Sequence, residues 1–127
     1  MDHTWNMYPE SSFFEKEIRK GFEVSEMRKH IWAIELDMAN RLITVCRENN
    51  LRIFADAGTM LGAVRHKGFI PWDDDMDFAM FREDYDKLCA IAPRYFQTPY
   101  FFQNVYTDKK YIHGHAQIRI ALRQVYW

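Results

Sequence analysis

The chain has 127 residues, with 17 Lys and Arg against 18 Asp and Glu. That length suits one domain with one modest core, and a net charge of −1 supplies none of the general attraction that draws proteins to phosphate polymers or anionic membranes, so no nucleic-acid partner is expected and any nucleotide must be held locally. At 48% hydrophobic and 17% aromatic residues, the composition is that of a packed globular protein and not of a disordered or fibrous one.

Residues 1–24 mix aromatics with charges around Pro9 and Gly21 without a sustained period, and they read as an aromatic N-terminal arm that docks onto the rest. Met1-Asp2-His3-Thr4-Trp5 lacks the basic-then-apolar pattern of a signal peptide. No apolar run approaches the roughly 18 residues that cross a bilayer, so no membrane span and a cytoplasmic location are the expectation. The domain proper runs over residues 25–127. Ser25 is a suitable N-cap, followed three residues later by Arg28 and so not a capping box. Met27, Ile31, Ile34, Met38, Leu42, Val45 and Cys46 then recur at helical spacing and predict an amphipathic helix ending near Asn49-Asn50. Cys46 and Cys89 sit among apolar residues of predicted helices and read as reduced thiols.

Leu51–Ala57 predicts a strand that stops at Gly58, and a short helix from Thr59 to about His66 should follow. Gly68 and Pro71 break that helix. Met76, Phe78 and Met80 alternate with Asp75, Asp77 and Ala79, the period-two pattern of a strand with an acidic face. A helix is predicted from Arg82 to about Ala92, with Pro93 as its stop. Strands over Tyr100–Tyr106 and Tyr111 to about Leu122 flank the polar turn Thr107-Asp108-Lys109-Lys110. Helices alternating with strands predict an α/β (α+β) fold, a small mixed sheet flanked by helices.

The chemistry concentrates between residues 58 and 77. Asp73, Asp74, Asp75 and Asp77 place four carboxylates within five positions, and Asp73, Asp75 and Asp77 share one side of an extended segment. Such charges repel unless a cation neutralises them, and hard oxygen donors suit Mg²⁺ or Mn²⁺ over zinc. A calcium loop of EF-hand type does not fit, since its sixth position would be Phe78 in place of glycine and its twelfth Asp84 in place of Glu. Gly58-Thr59, between a predicted strand and a predicted helix, allows close backbone approach and offers free N–H groups to phosphate. Arg65, His66 and Lys67 form a compact cationic group beyond the short helix, suited to offsetting charge on a diphosphate while a metal bridges its oxygens. Asp84, Asp86 and Asp108 read as solvated surface groups, and His113 and His115 as alternating residues of a strand.

The string from Phe54 to Asp77, with Gly58-Thr59-Met60-Leu61-Gly62-Ala63-Val64-Arg65-His66-Lys67-Gly68-Phe69-Ile70-Pro71-Trp72-Asp73-Asp74-Asp75-Met76-Asp77 at its centre, resembles the signature of the LicD family, to which fukutin-like proteins are related. The resemblance extends from about Met27 to about Arg119 through Cys46-Arg47-Glu48-Asn49-Asn50 and Arg82-Glu83-Asp84-Tyr85. It implies a nucleotidyltransferase-like fold, with Gly58-Thr59 as the glycine-plus-hydroxyl motif and Asp75-Met76-Asp77 as the paired-carboxylate strand. It further implies Mg²⁺-dependent transfer of phosphocholine, or a related phospho-alcohol, from a CDP-linked donor such as CDP-choline to a hydroxyl of a cell-surface glycan. In that reading Asp75 and Asp77 are catalytic and hold the metal with Asp73. Gly58, Thr59, Arg65, His66, Lys67 and Trp72 bind the substrate.

The resemblance breaks off after Arg119, where Ile120-Ala121-Leu122-Arg123-Gln124-Val125-Tyr126-Trp127 departs from the family pattern, so a fold incomplete at its C-terminus is expected. Truncation would leave apolar surface uncovered and favour self-association. It also keeps open an alternative, a catalytically silent remnant that binds nucleotide or a divalent cation without turnover.

Overall fold

A computed structural model describes residues 9–111 and 113–120; the first eight residues of the expected arm, and the expected strand end at Leu122, lie outside them. Packing divides the chain into two compact units, Met1–Phe81 and Arg82–Trp127.

In the first unit, a short 3-10 helix over Ser11–Phe14 leads into a hairpin of β1 (Glu17–Arg19) and β2 (Phe22–Val24), antiparallel with Glu17 opposite Val24. Its two-residue turn, Lys20-Gly21, has φ of 51° and 75°, the left-handed pair whose twist matches that of the flanking strands. The region read as an arm thus contains a hairpin. Lysine is an uncommon residue at positive φ, which is why the turn gave no signal in the sequence. The ring of Phe14 stacks on His30 at 4.5 Å, and the Lys29 ammonium sits 5.5 Å from the Phe13 ring centre. Lys29 is buried and ion-pairs with Glu17 at 2.9 Å. That ammonium bond, together with Arg19, holds the Glu17 carboxyl below its ordinary range against the opposing effect of burial.

Helix α1 spans Glu26–Glu48 and begins as expected, with Ser25 Oγ accepting the Arg28 N–H at 3.1 Å. It ends where expected too, at Asn49, with Asn50 turned to φ 55°. Its buried face differs from the expected one in the first half. Lys29, Trp32, Ala39, Leu42, Val45 and Cys46 are buried, while Met27 is 70% and Ile34 47% exposed. The stripe through Trp32 wins because the indole offers more area to bury than Met27 or Ile34, and the paired ammonium of Lys29 can share its burial.

Next come β3 (Phe54–Ala55), α2 (Ala57–Arg65) and β4 (Phe78–Ala79). The strands expected over 51–57 and 76–80 shrink to two residues each, paired antiparallel with Phe54 opposite Ala79 and Ala55 opposite Phe78. Helix α2 starts two residues earlier than expected, at Ala57, whose φ is 45°. It closes with His66 N–H on the Gly62 carbonyl at 2.8 Å, followed by Lys67 at φ 58°.

The second unit holds α3 (Arg82–Tyr95), β5 (Tyr100–Gln103) and β6 (Gln117–Ile120). Pro93 lies inside α3 and does not stop it; in a last turn proline removes one donor without breaking the ladder that follows, and Phe96 N–H still reaches the Ala92 carbonyl at 2.8 Å. Asp84, expected on a solvated face, is buried with Leu88 and Ala92, whereas Asp86 is exposed and pairs with Arg82 at 3.1 Å. Strand β5 ends at Gln103 because Asn104 Oδ1 caps the next turn, accepting from the Tyr106 and Thr107 N–H groups at 2.9 and 3.0 Å. Among the described residues of the strand expected from Tyr111 onward, only β6 pairs, Tyr100 lying opposite Ile120. His113 and His115 therefore precede the strand, with their rings 5.3 Å apart.

Among the described residues the architecture is mixed α and β, three α-helices and a short 3-10 helix with three two-stranded antiparallel ladders. Among the described residues the ladders do not merge into the expected mixed sheet. No helix of the described residues is long and apolar enough to cross a membrane.

Candidate functional site

The ladder between β3 and β4 determines what meets at its end. One residue beyond the paired positions, Asp56 N–H donates to the Asp77 carbonyl at 3.0 Å. Asp56 is also the N-cap of α2, its carbonyl accepting the Thr59 and Met60 N–H groups at 3.1 and 3.2 Å. The Thr59 hydroxyl then accepts the Asp77 N–H at 2.7 Å. Gly58-Thr59 and Asp77, 18 positions apart, are thereby joined across the mouth of the ladder.

Asp73 enters the same place from the side. A Cβ on Gly58 would lie 2.7 Å from Asp73 Oδ2, so a larger residue there would push that side-chain carboxylate aside. The turn expected to face phosphate faces the Asp73 carboxylate, an anion beside the positive end of a helix.

The acidic segment is held from behind by α1. Trp32 is 1% exposed; its ring stacks on Phe69 at 4.8 Å and an interplanar angle of 6°, and its Nε1 donates to the Asp73 carbonyl at 2.7 Å. One turn earlier, Arg28 Nη1 donates to the Trp72 carbonyl at 3.2 Å. Residues 73–77 approach β4 as irregular backbone and not as part of the expected strand, since β4 offers pairing for two residues only. The expected alternation survives without the pairing: Asp75 and Asp77 are exposed, with Met76 half-buried between them.

Burial and the neighbouring Asp77, Asp73 and Asp74 raise the Asp75 carboxyl above its ordinary range, partly offset by a backbone hydrogen bond. Sequence reasoning missed Glu35 of α1. Partial burial, and then Asp75, Asp74 and Asp77, push its carboxyl up from 4.5 to about 7. The only sequence signal was an acid set among Ile31, Trp32, Ala33, Ile34 and Leu36. A carboxyl that holds its proton more tightly when folded adds stability fully below its unfolded pKa and loses it as pH rises through the folded one. Between pH 4.5 and 8 in cation-free buffer, denaturant titrations should show wild type losing about 1–2 kcal/mol more than Glu35→Gln, after discounting for the solvent screening of a half-exposed group. Equal pH profiles for the two proteins would contradict this.

The cationic group is assembled separately. Arg65 Nε donates to His66 Nε2 at 3.0 Å, and the His66 ring meets Trp72 edge-on at 5.9 Å, with Phe22 on Trp72 at 6.0 Å. Desolvation, then the Arg65 and Lys20 cations, hold His66 below its ordinary range, so it stays neutral and accepts from Arg65. Trp72 is 50% exposed. Among the described residues no hydrogen bond or ion pair joins Arg65 or Lys67 to Asp73, Asp75 or Asp77. The structure therefore brings together Gly58, Thr59, Asp73 and Asp77, with Asp75 close enough to feel its neighbours, and gathers Arg65, His66 and Trp72 into a second group.

The donor set suits a hard divalent cation, being carboxylate oxygens, with Asp77, Asp73 and Asp74 acting on Asp75. Among the described residues no three His, Cys, Asp or Glu side chains converge closely enough to hold a metal by themselves. Magnesium is ordinarily held by one or two carboxylates, completed by waters and substrate phosphates, and the arrangement fits a site of that open kind.

Residues 50–126, more than half of the chain, match the family model described as LicD/FKTN/FKRP, nucleotidyltransferase domain. The chain is similar to the lipopolysaccharide cholinephosphotransferase LicD of Haemophilus influenzae, 38% identical over 56 residues that cover 44% of this chain and 21% of that protein. An uncharacterized protein of Rickettsia prowazekii is 45% identical over 53 residues, 42% of this chain and 20% of that one. The human ribitol 5-phosphate transferase FKRP is 35% identical over 48 residues, 38% of this chain and 10% of that protein. Against the bacterial relatives the chain spans about a fifth of their length. No solved structure matches.

Proposed function

The chain belongs to the LicD/FKTN/FKRP family, and on that premise we propose that it serves the metal-dependent transfer of phosphocholine, or a related phospho-alcohol, from a CDP-linked donor to a hydroxyl of a cell-surface glycan. The observation that carries this reading is the stitching of Thr59 and Gly58 to Asp77 and Asp73 at the mouth of the β3–β4 ladder. A nucleotidyltransferase-like site needs that juxtaposition, a glycine-hydroxyl turn beside paired carboxylates. The names of two relatives, a cholinephosphotransferase and a ribitol 5-phosphate transferase, agree in the class of group moved, a phosphorylated alcohol.

In this proposal Asp75 and Asp77 hold Mg²⁺ with Asp73 beside them. When bound, the cation supplies charge neutralisation for the donor diphosphate as its phosphorus is attacked. Thr59, through its bond to the Asp77 N–H, keeps the acidic segment against the start of α2. Gly58 leaves room for the Asp73 carboxylate at that helix start. Arg65 and Lys67 offset further phosphate charge, and Trp72, half-exposed between Phe22 and His66, offers a ring face to the donor.

Melting curves of the full chain with and without Mg²⁺ and CDP-choline test the reading, beside an Asp75→Ala/Asp77→Ala double variant. Ligand at a hundred times its Kd stabilises the folded state by about 2.7 kcal/mol, and the double variant should lose that shift. A folded wild type with no shift at millimolar ligand would defeat the proposal. A shift without transfer to an acceptor glycan would leave binding without turnover as the function of this chain.

A further inference from the structure

The second unit holds a cavity of about 190 Å³ at the β5–β6 ladder, lined among the described residues by side chains between Gln103 and Arg119. That volume is below the roughly 300–1,000 Å³ of pockets for drug-sized molecules, so the cavity suits a small ligand. Gln103, the last residue of β5, is built into the wall. It is 9% exposed, its Nε2 donates to Asp108 Oδ2 at 2.8 Å, and its Oε1 accepts from Arg119 Nη1 at 3.4 Å. The other Asp108 oxygen, Oδ1, accepts the Lys110 N–H at 3.0 Å. Among the described residues Asp108 is the one carboxylate of the lining, and both its oxygens are engaged. Lys110 and Arg119 line the cavity too, and neither makes an ion pair among the described residues, so two cations stand against one carboxylate. Tyr111, a further wall residue, is 8% exposed, and its hydroxyl is buried without a hydrogen-bond partner among the described residues. Such a group is unfavourable unless something else completes it. Burial holds the proton on this phenol against the opposing Arg119 cation, so the hydroxyl is available as a donor.

We infer that this cavity binds a phosphate group, either as the free ion or at the end of a small phosphate ester. The Arg119 guanidinium, the Lys110 ammonium and the Tyr111 hydroxyl are donors from three separate residues around one small space. A tetrahedral phosphate presents oxygens in as many directions, whereas a planar carboxylate is matched by the guanidinium fork alone. Asp108 acts as a brace: its charge is outnumbered, and its two bonds hold the Gln103 side chain and the Lys110 backbone in place. The inference does not depend on the reading of residues 58–77, which belong to the other unit.

The test is a titration of the isotope-labelled full chain with inorganic phosphate, glycerol 3-phosphate and acetate, followed by amide chemical shifts. Each is compared with sodium chloride at equal ionic strength, because exposed cations attract any anion weakly and salt screens that attraction. Both phosphates should move the amides of Gln103, Lys110, Tyr111 and Arg119, and acetate should bind at least about tenfold more weakly, the loss of one charge-assisted bond. Lys110→Gln, at an exposed position, and Arg119→Gln should each weaken phosphate binding about tenfold for the same reason. Lys109→Gln removes a neighbouring exposed charge that is outside the lining and should leave affinity unchanged. Tyr111→Phe should weaken phosphate binding while melting, without phosphate, at or above the wild-type temperature, since an unpaired hydroxyl has gone. The opposite pair of results, a lower melting temperature with phosphate affinity intact, overturns the inference. Equal affinity for the two phosphates assigns the free ion to the cavity and tighter glycerol 3-phosphate assigns an ester, and either outcome supports it. No response to phosphate at millimolar concentration, shifts confined to residues 57–67, acetate matching phosphate, or wild-type affinity in both Lys110→Gln and Arg119→Gln would each overturn it.

Discussion

Replacement of Trp32 by alanine should destabilise the protein by about 3–5 kcal/mol, the range for emptying a buried tryptophan site. Three roles fall together in that side chain. It is 1% exposed, its ring lies parallel to Phe69 at 4.8 Å, and its N–H is taken by the Asp73 carbonyl at 2.7 Å. Trp32→Phe separates them, because it keeps most of the stacking and burial and gives up the donor; about 1–2 kcal/mol should then be lost. Urea titrations followed by circular dichroism measure both. A loss below 1 kcal/mol for the alanine variant would mean that the ring does not anchor the segment. The variants should also differ in cation binding, since the acidic backbone is tied to α1 through that N–H.

Gly62→Ala reverses the usual sign of a glycine-to-alanine change in a helix. In an open helix the substitution gains up to about 1 kcal/mol. Here the added Cβ would stand 2.5 Å from the Gly68 carbonyl oxygen and 3.2 Å from the Ile70 amide nitrogen, both backbone atoms. The chain from Gly68 to Ile70 must retreat from α2, and a net loss of about 2 kcal/mol is expected, within the range for overpacking. Because Asp73 N–H is bonded to the Ile70 carbonyl at 2.9 Å, the retreat carries into the acidic segment and should weaken Mg²⁺ binding as well. Gly68→Ala is the matched control. A Cβ there meets nothing within 4 Å, and its stability should stay within about 0.5 kcal/mol of wild type. If Gly62→Ala proved as stable as Gly68→Ala, the close packing of α2 on residues 68–70 would not constrain the site.

Local signals determined a good part of this protein before any fold was known. Ser25 as N-cap and Asn49-Asn50 as terminator bounded α1 correctly, because capping is settled within a few residues of the helix end. The break after Arg65 and the existence of a helix from Arg82 were also legible, being matters of glycine, charge and period. The contiguous string from Phe54 to Asp77 identified the family, since a run of that length carries its meaning in the order of its residues. Where local preference and packing competed, packing prevailed. Met27 and Ile34 have the right period for a core face and lie exposed, because Trp32 had Phe69 to stack on and Lys29 had Glu17 to pair with. Pro93 stayed inside its helix, and Asp84 went inward with Leu88 and Ala92. The strands shortened to what their partners could pair with, leaving Asp75 and Asp77 on irregular backbone. Only the tertiary structure decided that Asp73 lies over Gly58, that Thr59 takes the Asp77 N–H, and that the charges of Asp75, Asp74 and Asp77 act on Glu35. Each of these joins residues at least 15 positions apart, and no periodicity or propensity reaches across that distance; the contacts exist because a buried ring and a two-residue ladder bring the segments together.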